Sequence, residues 1–342
     1  MAQDRFAFDF QLSPKESAEG HFPISTLPNS GRRTIIPDAT SLGVQTSGNG
    51  NFCFLEDVNG LLSRASVQEI EYDITPCFGD GDEQESHSLL RVRSSSCSKL
   101  SIENLYQELE SKQADIIPGK YEGGLKLWEC SLDLCRYLWK AKDHLKVKYT
   151  LELGCGHGLP GCLVLRNSLK SQSIPDPIVV FADFNDFVLR NVTVANVVAN
   201  TRGFSASIVA NSIALGAGDW FAMSRCLSGN KHGISNLPEN GRFDLLLAAE
   251  TTYTPEAAEA TAIMIANHLV PVEGIALVAS KRYYFGCGGG TDSFRKAAEA
   301  QCIIINNKTY RLITTTEEEF DNGSGNIREL LKIVLLPESS KS

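Results

Sequence analysis

The chain has 342 residues, 42% hydrophobic and 21% charged, with 41 acidic against 32 basic side chains and 10 cysteines. That suffices for one large domain or two ordinary ones, and it excludes a mini-protein held together by staples. The longest purely apolar runs, Ile178–Ala182 and Leu245–Ala249, fall far short of the roughly 18 residues that span a bilayer, so no membrane partner is expected.

Residues 1–110 hold 17 acidic and 8 basic side chains and the remainder 24 of each, so the whole net charge of −9 sits in the first third. That third also carries the turn-like Gly48-Asn49-Gly50, the acidic polar stretch Phe78–Ser88 and the run Ser94–Ser96. Such a segment buries too little apolar surface to offset chain entropy, and residues 1–112 are expected to be an acidic arm of low order with a few short ordered pieces. The alternating Phe6, Phe8 and Phe10 suit either a small strand or a docking segment. Asp4, Arg5 and Asp9 among the first aromatics break the pattern of a secretory signal, which makes a reducing compartment the default. The acidic balance argues against direct nucleic-acid binding. The cysteines are scattered with no CxxC pair, so buried or free thiols are expected rather than a disulfide framework, and no metal site.

From about Asp115 apolar runs alternate with periodic segments, the texture of an α/β domain, here placed over 113–338. Leu125, Trp128, Leu132, Cys135 and Trp139 recur at steps of three and four and predict one face of a helix. Strand-like runs end at Leu153, Asp183, Val209, Ala249 and Ser280, with helical patterns over Asp186–Val198 and Glu256–Leu269. Five parallel strands with crossovers follow. Tyr310–Thr315 and Ile327–Leu336, joined by the turn material Asp321–Gly325, complete an open, mostly parallel sheet with an antiparallel C-terminal hairpin.

After the first of these strands the chain reads Leu151-Glu152-Leu153-Gly154-Cys155-Gly156-His157-Gly158-Leu159-Pro160-Gly161, a strand-to-helix turn that admits a ligand against the backbone. Gly156, Gly158 and Gly161 spell the dinucleotide fingerprint, with Asp183 placed as its ribose acid. Read from Glu152 through Gly154, Gly156 and Gly158, the same turn spells acid-x-G-x-G-x-G, the pattern of class I S-adenosylmethionine (AdoMet) enzymes. A carboxylate beside the loop helps a sulfonium and harms a diphosphate, so Glu152 favours AdoMet; a tight turn with no ligand is the third reading. His157 is expected to point to solvent.

The segment Asp115–Cys130, with Gly123-Gly124-Leu125-Lys126-Leu127-Trp128 at its heart, resembles the cofactor-gating segment of the protein-histidine methyltransferases, a family of seven-strand AdoMet enzymes. Asp183-Phe184-Asn185 with Asn196–Asn200, Glu250-Thr251-Thr252-Tyr253, and Ser280-Lys281 through Tyr284-Phe285-Gly286 to Gly290 and Phe294 resemble it too. The likeness covers roughly residues 115–336. It implies a seven-strand Rossmann-like fold, AdoMet as donor and methylation of a histidine ring in a protein, the family's known acceptor lying in a large-subunit ribosomal protein. A cytosolic and nuclear monomer fits that substrate. A lysine acceptor stays open, because sister families carry an acid at the position of Glu250. A nicotinamide dehydrogenase and a non-catalytic adaptor are the rivals from other classes.

Within that frame Leu127, Trp128, Glu129 and Cys130 are expected at the methionine end of the cofactor, with Trp128 and Glu129 closing over it. Asp183 is the ribose acid, flanked by Phe184 and Asn185, and Asp219-Trp220 offers an acid and a ring to adenine. Glu250, alone or with the Tyr253 hydroxyl, is expected to bind the acceptor's ring N–H, and Glu250 also borders the cofactor. Tyr284, Phe285 and Gly288 are expected to form the rim of the acceptor site.

Overall fold

A computed structural model of the protein describes residues 52–338, except 56, 65–68, 74–88, 94–98, 113, 118, 143–144, 146, 172–173, 230–235 and 322–325. The phenylalanines at 6, 8 and 10, Gly48–Gly50, Phe78–Ser88, Ser94–Ser96 and most of the turn Asp321–Gly325 therefore lie outside the described residues. The described residues all fall within one compact unit, Arg33–Ser342.

The elements in chain order are β1 Phe52–Phe54, α1 Val58–Arg64, β2 Glu69–Asp73, β3 Leu89–Arg93, α2 Lys99–Lys112, α3 Glu129–Lys140, β4 Tyr149–Leu153 and α4 Leu159–Ser171. Next come β5 Ile178–Asp183, α5 Asp186–Val188, a π-helical turn Leu189–Thr193, α6 Val194–Asn200, α7 Ala206–Asn211, β6 Ile213–Gly218, α8 Trp220–Ser228 and β7 Leu245–Ala249. The chain closes with α9 Pro255–His268, β8 Ile275–Lys281, α10 Thr291–Ala300, β9 Cys302–Ile305, β10 Lys308–Phe320 and β11 Arg328–Pro337.

One sheet organises the unit, in the order β1-β6-β5-β4-β7-β8-β11-β10-β9. Strands β6, β5, β4, β7 and β8 run parallel, and β11 pairs antiparallel with both β8 and β10. Six of the nine strands match the expected sheet and hairpin, and β6 lies further along the chain than expected. The additions are β9, which folds back on β10, and β1, which pairs with β6 at Phe52↔Gly218 and lays the Phe52 ring over Gly216. Strand β5 is buried along its whole length because helices cover both its faces, which explains its unbroken apolar sequence.

Leu134 and Leu138 of α3, Leu163 of α4 and Val197 of α6 pack with Phe181 on one face of the sheet. Met223 of α8, Met264 of α9 and Phe294 of α10 pack with Leu151 and Leu246 on the other. Burial of these side chains is the main favourable term holding the three layers together.

Three expectations are corrected. The third strand is Ile213–Gly218 and does not end at Val209, which lies in α7; Ser205 accepts the Ile208 N–H and starts a helix there. Helix α3 begins only at Glu129 and buries Cys130, Leu134, Cys135 and Leu138, so of the expected stripe only Cys135 is on the fully buried face. The segment Asp186–Val198 is helical, but a π-helical turn interrupts it.

The first turn of α4 runs close beneath the sheet. A Cβ on Gly161 would stand 2.5 Å from both Glu152 Oε2 and Phe181 Cε1. Helix propensity alone favours Ala over Gly by about 1 kcal/mol, yet Gly161→Ala is expected to destabilise the protein by roughly 1–3 kcal/mol through overpacking. Urea unfolding of the two proteins checks the sign.

Candidate functional site

Strand β4 lies between β5 and β7, and the chain leaves it first towards one side of the sheet and later towards the other. Open α/β sheets bind ligands in the crevice outside the carboxyl ends of strands at such a switch point. Here that crevice is bordered by Gly154–Gly158 after β4, Asp183 at the end of β5 and Glu250 just after β7.

The glycine turn is held open by its neighbours. Gly154 and Gly156 sit at φ 59° and 50°, and a Cβ on Gly154 would meet Thr251 at 3.0 Å, so both backbone shape and space require glycine there. The Cys155 N–H donates to the Ala182 carbonyl at 2.9 Å, and the Gly156 N–H donates to Asp183 Oδ2 at 2.9 Å. From the helical side, the Thr193 hydroxyl donates to the Gly156 carbonyl at 2.7 Å and the Asn196 amide to the His157 carbonyl at 3.0 Å. Thr193 closes the π-helical turn, an irregularity that often accompanies functional sites.

Two carboxylates lie buried under this turn. Asp183 accepts the Gly156 and Asn185 N–H groups, one on each oxygen, and burial pushes its carboxyl up to about 6 despite those bonds. The Phe184 N–H is a further backbone donor to the same carboxylate. Glu152 does not stand beside the ligand edge as expected: its Oε2 reaches back to accept the Gly161 N–H at 2.9 Å. It thereby takes a first-turn donor of α4 that a pyrophosphate would use, which weighs against a dinucleotide on structural grounds. Burial pushes the Glu152 carboxyl up to about 8, so at neutral pH it is mostly uncharged and supplies little field to a cation.

The gating segment closes over the crevice through one acid. Glu122 accepts the Gly119 N–H on Oε1 and the Tyr253 hydroxyl on Oε2, while its own N–H donates to Asn185 Oδ1 at 3.1 Å. The Asn185 amide donates in turn to the Lys120 carbonyl at 2.9 Å, so Asn185 pins the gate to the end of β5. Gly124 lies against Val188, Asp183 and the backbone of Gly156, leaving no room for a side chain.

Glu250 is the most constrained residue of the site. It is a non-glycine residue at φ 59°, 9% exposed, with its N–H donated to the Ala279 carbonyl at 2.9 Å. Backbone strain of this kind persists where surrounding structure enforces it. Its Oε2 accepts the Tyr284 hydroxyl, and Lys281 Nζ stands 3.7 Å from the same oxygen. Its Oε1 is buried with no hydrogen-bond partner. Thr252 and Ser280 share a 2.6 Å hydrogen bond, and Ser280 lies 3.1 Å from the Tyr284 hydroxyl, which extends the polar chain into the loop after β7. The Cys130 thiol adjoins the carboxylate and is pushed up by burial and then by the charge of Glu250. Trp128 caps the start of α3, donates its indole N–H to the Gly123 carbonyl at 3.1 Å and presents its ring to Lys281.

The hydroxyl partner of Glu250 is thus Tyr284, expected on the rim. Tyr253, expected to assist Glu250, instead serves the gate through Glu122, and burial followed by that charge pushes its phenol upward. Glu129 is exposed and faces Arg328 at 3.5 Å, so it does not close over the site. Leu127 packs on the α3–α4 core. Asp219 caps α8 by accepting the Ala222 N–H at 2.9 Å, while the Trp220 ring stands beside Gly154 at the crevice. Phe184 is half-buried next to Asp183, Phe285 is exposed, and Gly288, at φ 79°, turns the loop that Gly289 and Gly290 bond to Tyr253 and Thr252. His157 is half-exposed rather than fully solvated: its Nδ1 is buried, and burial lowers the ring to about 4. Sequence reasoning missed Glu122, Thr193 and Lys281 as site residues; Lys281 was legible only as a charge ending an apolar strand at the sheet's carboxyl edge.

Among the described residues no group of three His, Cys, Asp or Glu side chains could hold a metal, and the described cysteines are free thiols. Among them, too, no helix is long and apolar enough to cross a membrane.

Strand order and glycine turn define an open, doubly wound α/β domain with a ligand crevice at the switch point and an antiparallel edge. The chain is similar to proteins named histidine protein methyltransferase 1. It is 36% identical over 228 residues to the homologue from Dictyostelium discoideum, covering 67% of this chain and 62% of that one. To the homologue from Bos taurus it is 34% identical, with 59% and 55% covered, and to the protein from Schizosaccharomyces pombe 30% identical, with 60% and 64% covered. The chain thus spans about three-fifths of the length of the curated relatives it matches. Residues 118–285 match a family model described as lysine methyltransferase. Among solved structures, the O-methyltransferase TomG from Streptomyces achromogenes in complex with SAM aligns at TM-score 0.39 and 12% identity, over 69% of this chain and 90% of that one. The methyltransferase domain of bacterial CtHen1 aligns at TM-score 0.39 and 14% identity, over 60% and 100%.

The raised Glu152 carboxyl has a sign that can be measured. Between about 4.5 and 8 the folded chain holds a proton that the unfolded chain has released, so this group's contribution to stability is complete below that range and is lost as pH rises through it. Glu152→Gln should therefore gain stability relative to the parent between pH 5 and pH 8. Parallel urea-unfolding free energies at the two pH values would contradict it.

Proposed function

We propose that this protein transfers a methyl group from AdoMet to a ring nitrogen of a histidine in a protein substrate. The observation that carries the reading is Glu250 at the crevice of a class I fold, strained, buried and with Oε1 free to accept one N–H. The names of the curated relatives support the same acceptor.

The cofactor fits the residues present. Asp183 ends β5 at the crevice, where its carboxylate would meet ribose hydroxyls, Trp220 borders the turn where an adenine would lie, and Gly154 and Gly156 admit close backbone approach. When bound, AdoMet supplies a methyl group already activated by positive sulfur. The protein's task is then to align the acceptor and exclude water. Glu122, Tyr253 and Asn185 hold the gate over the crevice.

Glu250 Oε1 accepts the N–H of one ring nitrogen, which fixes the tautomer and turns the lone pair of the other nitrogen towards the methyl group. A histidine near its ordinary pKa of ~6.5 is largely neutral at pH 7 and needs no prior deprotonation, whereas a lysine near ~10.4 does. Transfer would make the N–CH3 bond as the S–CH3 bond breaks with its electron pair left on sulfur, and Glu250 would then take the remaining N–H proton of the cationic ring. Tyr284, Phe285 and Gly288 border the acceptor's approach. A histidine of a large-subunit ribosomal protein, met in cytoplasm or nucleus by a monomeric enzyme, is the substrate that the family resemblance favours.

Asp183→Ala should weaken AdoMet binding about tenfold or more by calorimetry, because it removes the ribose acceptor and unties Gly156. Glu250→Gln should retain AdoMet binding and lower turnover on a histidine substrate about 10–100-fold, the worth of one hydrogen bond to a charged group. Unchanged turnover in Glu250→Gln would refute the role of the carboxylate.

A further inference from the structure

We infer that Lys281 is a specificity-determining residue that bars a protonated lysine from the acceptor position and reserves it for a neutral ring. This rests on the methyl-transfer reading above and narrows it to one acceptor class.

Lys281 ends β8 with its side chain turned inward, only 16% exposed. Its ammonium stands 3.7 Å from Glu250 Oε2 and 5.5 Å from the ring centres of both Trp128 and Tyr284. A carboxylate with two aromatic faces is the usual way to hold an alkylammonium ion, by charge pairing and by attraction to the ring quadrupoles. Here the protein fills that arrangement with its own cation. A second ammonium entering beside Glu250 would meet Lys281 at close range in a half-buried setting, where like charges repel far more strongly than in water.

The remaining acceptor capacity points the same way. Tyr284 and Lys281 both engage Oε2, while Oε1 is buried and unpartnered. With only the weak thiol donor of Cys130 beside the carboxylate, Oε1 has room for one strong donor, which matches the single N–H of a neutral imidazole. It cannot satisfy the three N–H donors of an ammonium, which would be left partly unpaired on burial.

The test uses the full chain and two peptide libraries with random flanks, identical except for histidine or lysine at the fixed central position, with tritiated AdoMet as donor. The wild-type protein should favour the histidine library. Lys281→Met, which keeps the stem and removes the charge, should cut the histidine-to-lysine ratio of kcat/KM at least tenfold by raising transfer to lysine, while AdoMet affinity stays within about twofold. Lys281→Arg should restore the preference, which a merely structural role would not predict. An unchanged ratio in Lys281→Met overturns the inference, and a wild-type preference for the lysine library overturns both it and the histidine reading. Should the wild type methylate neither library, only the histidine reading fails, and saturation-transfer NMR with S-adenosylhomocysteine present decides on Lys281. There 4-methylimidazole but not n-butylammonium should bind the wild type, and Lys281→Met should admit n-butylammonium. Equal binding of the two probes to the wild type overturns the inference.

Discussion

The carboxylate of Asp183 is the tie on which the site depends. It accepts Gly156 on one oxygen and Asn185 on the other, and so fixes the turn after β4 relative to the end of β5. Asn185 then binds the gating segment on both sides, through the Glu122 N–H and the Lys120 carbonyl, and Glu122 receives Tyr253 from beyond β7. Four separate stretches of chain are thereby joined by hydrogen bonds that start at one residue. Each bond alone is worth about 1 kcal/mol, but leaving one of its buried groups unsatisfied would cost more.

Three acids lie buried around this crevice, and each is accommodated differently. Glu152 is pushed up far enough to be mostly neutral. Asp183 is raised less, because its backbone donors oppose the effect of burial. Glu250 keeps a cation and a phenol at one oxygen. Asp183 and Glu250, not Glu152, are the carboxylates at the open edge of the crevice.

Much of this arrangement was legible because it is written in backbone requirements. A glycine at every second position after an apolar strand predicts a turn with positive φ, and unbroken apolar runs such as Ile178–Ala182 predict strands covered on both faces. What failed depends on direction. Ile208-Val209-Ala210 is apolar enough for a strand, yet the cap at Ser205 commits the segment to a helix. Tyr253 is three residues from Glu250, but the chain turns after Thr251 and sends its hydroxyl to the gate, leaving Tyr284 to cross over from the end of β8. Lys281 was named only within a segment of family likeness and given no role, since a lysine ending a strand ordinarily reads as solvated.

Strand β1 comes from the charged first third of the chain and pairs with β6 through only three residues, its Phe52 ring roofing Gly216. Without it the outermost parallel strand would expose a row of unsatisfied N–H and C=O groups beside a glycine with no side chain to obstruct approach, a template for strand addition by another molecule. The N-terminal region thus covers the edge of β6 through Phe52–Phe54. A version trimmed to the glycine-turn domain alone would keep its chemistry-bearing groups and lose the guard that keeps copies of it apart.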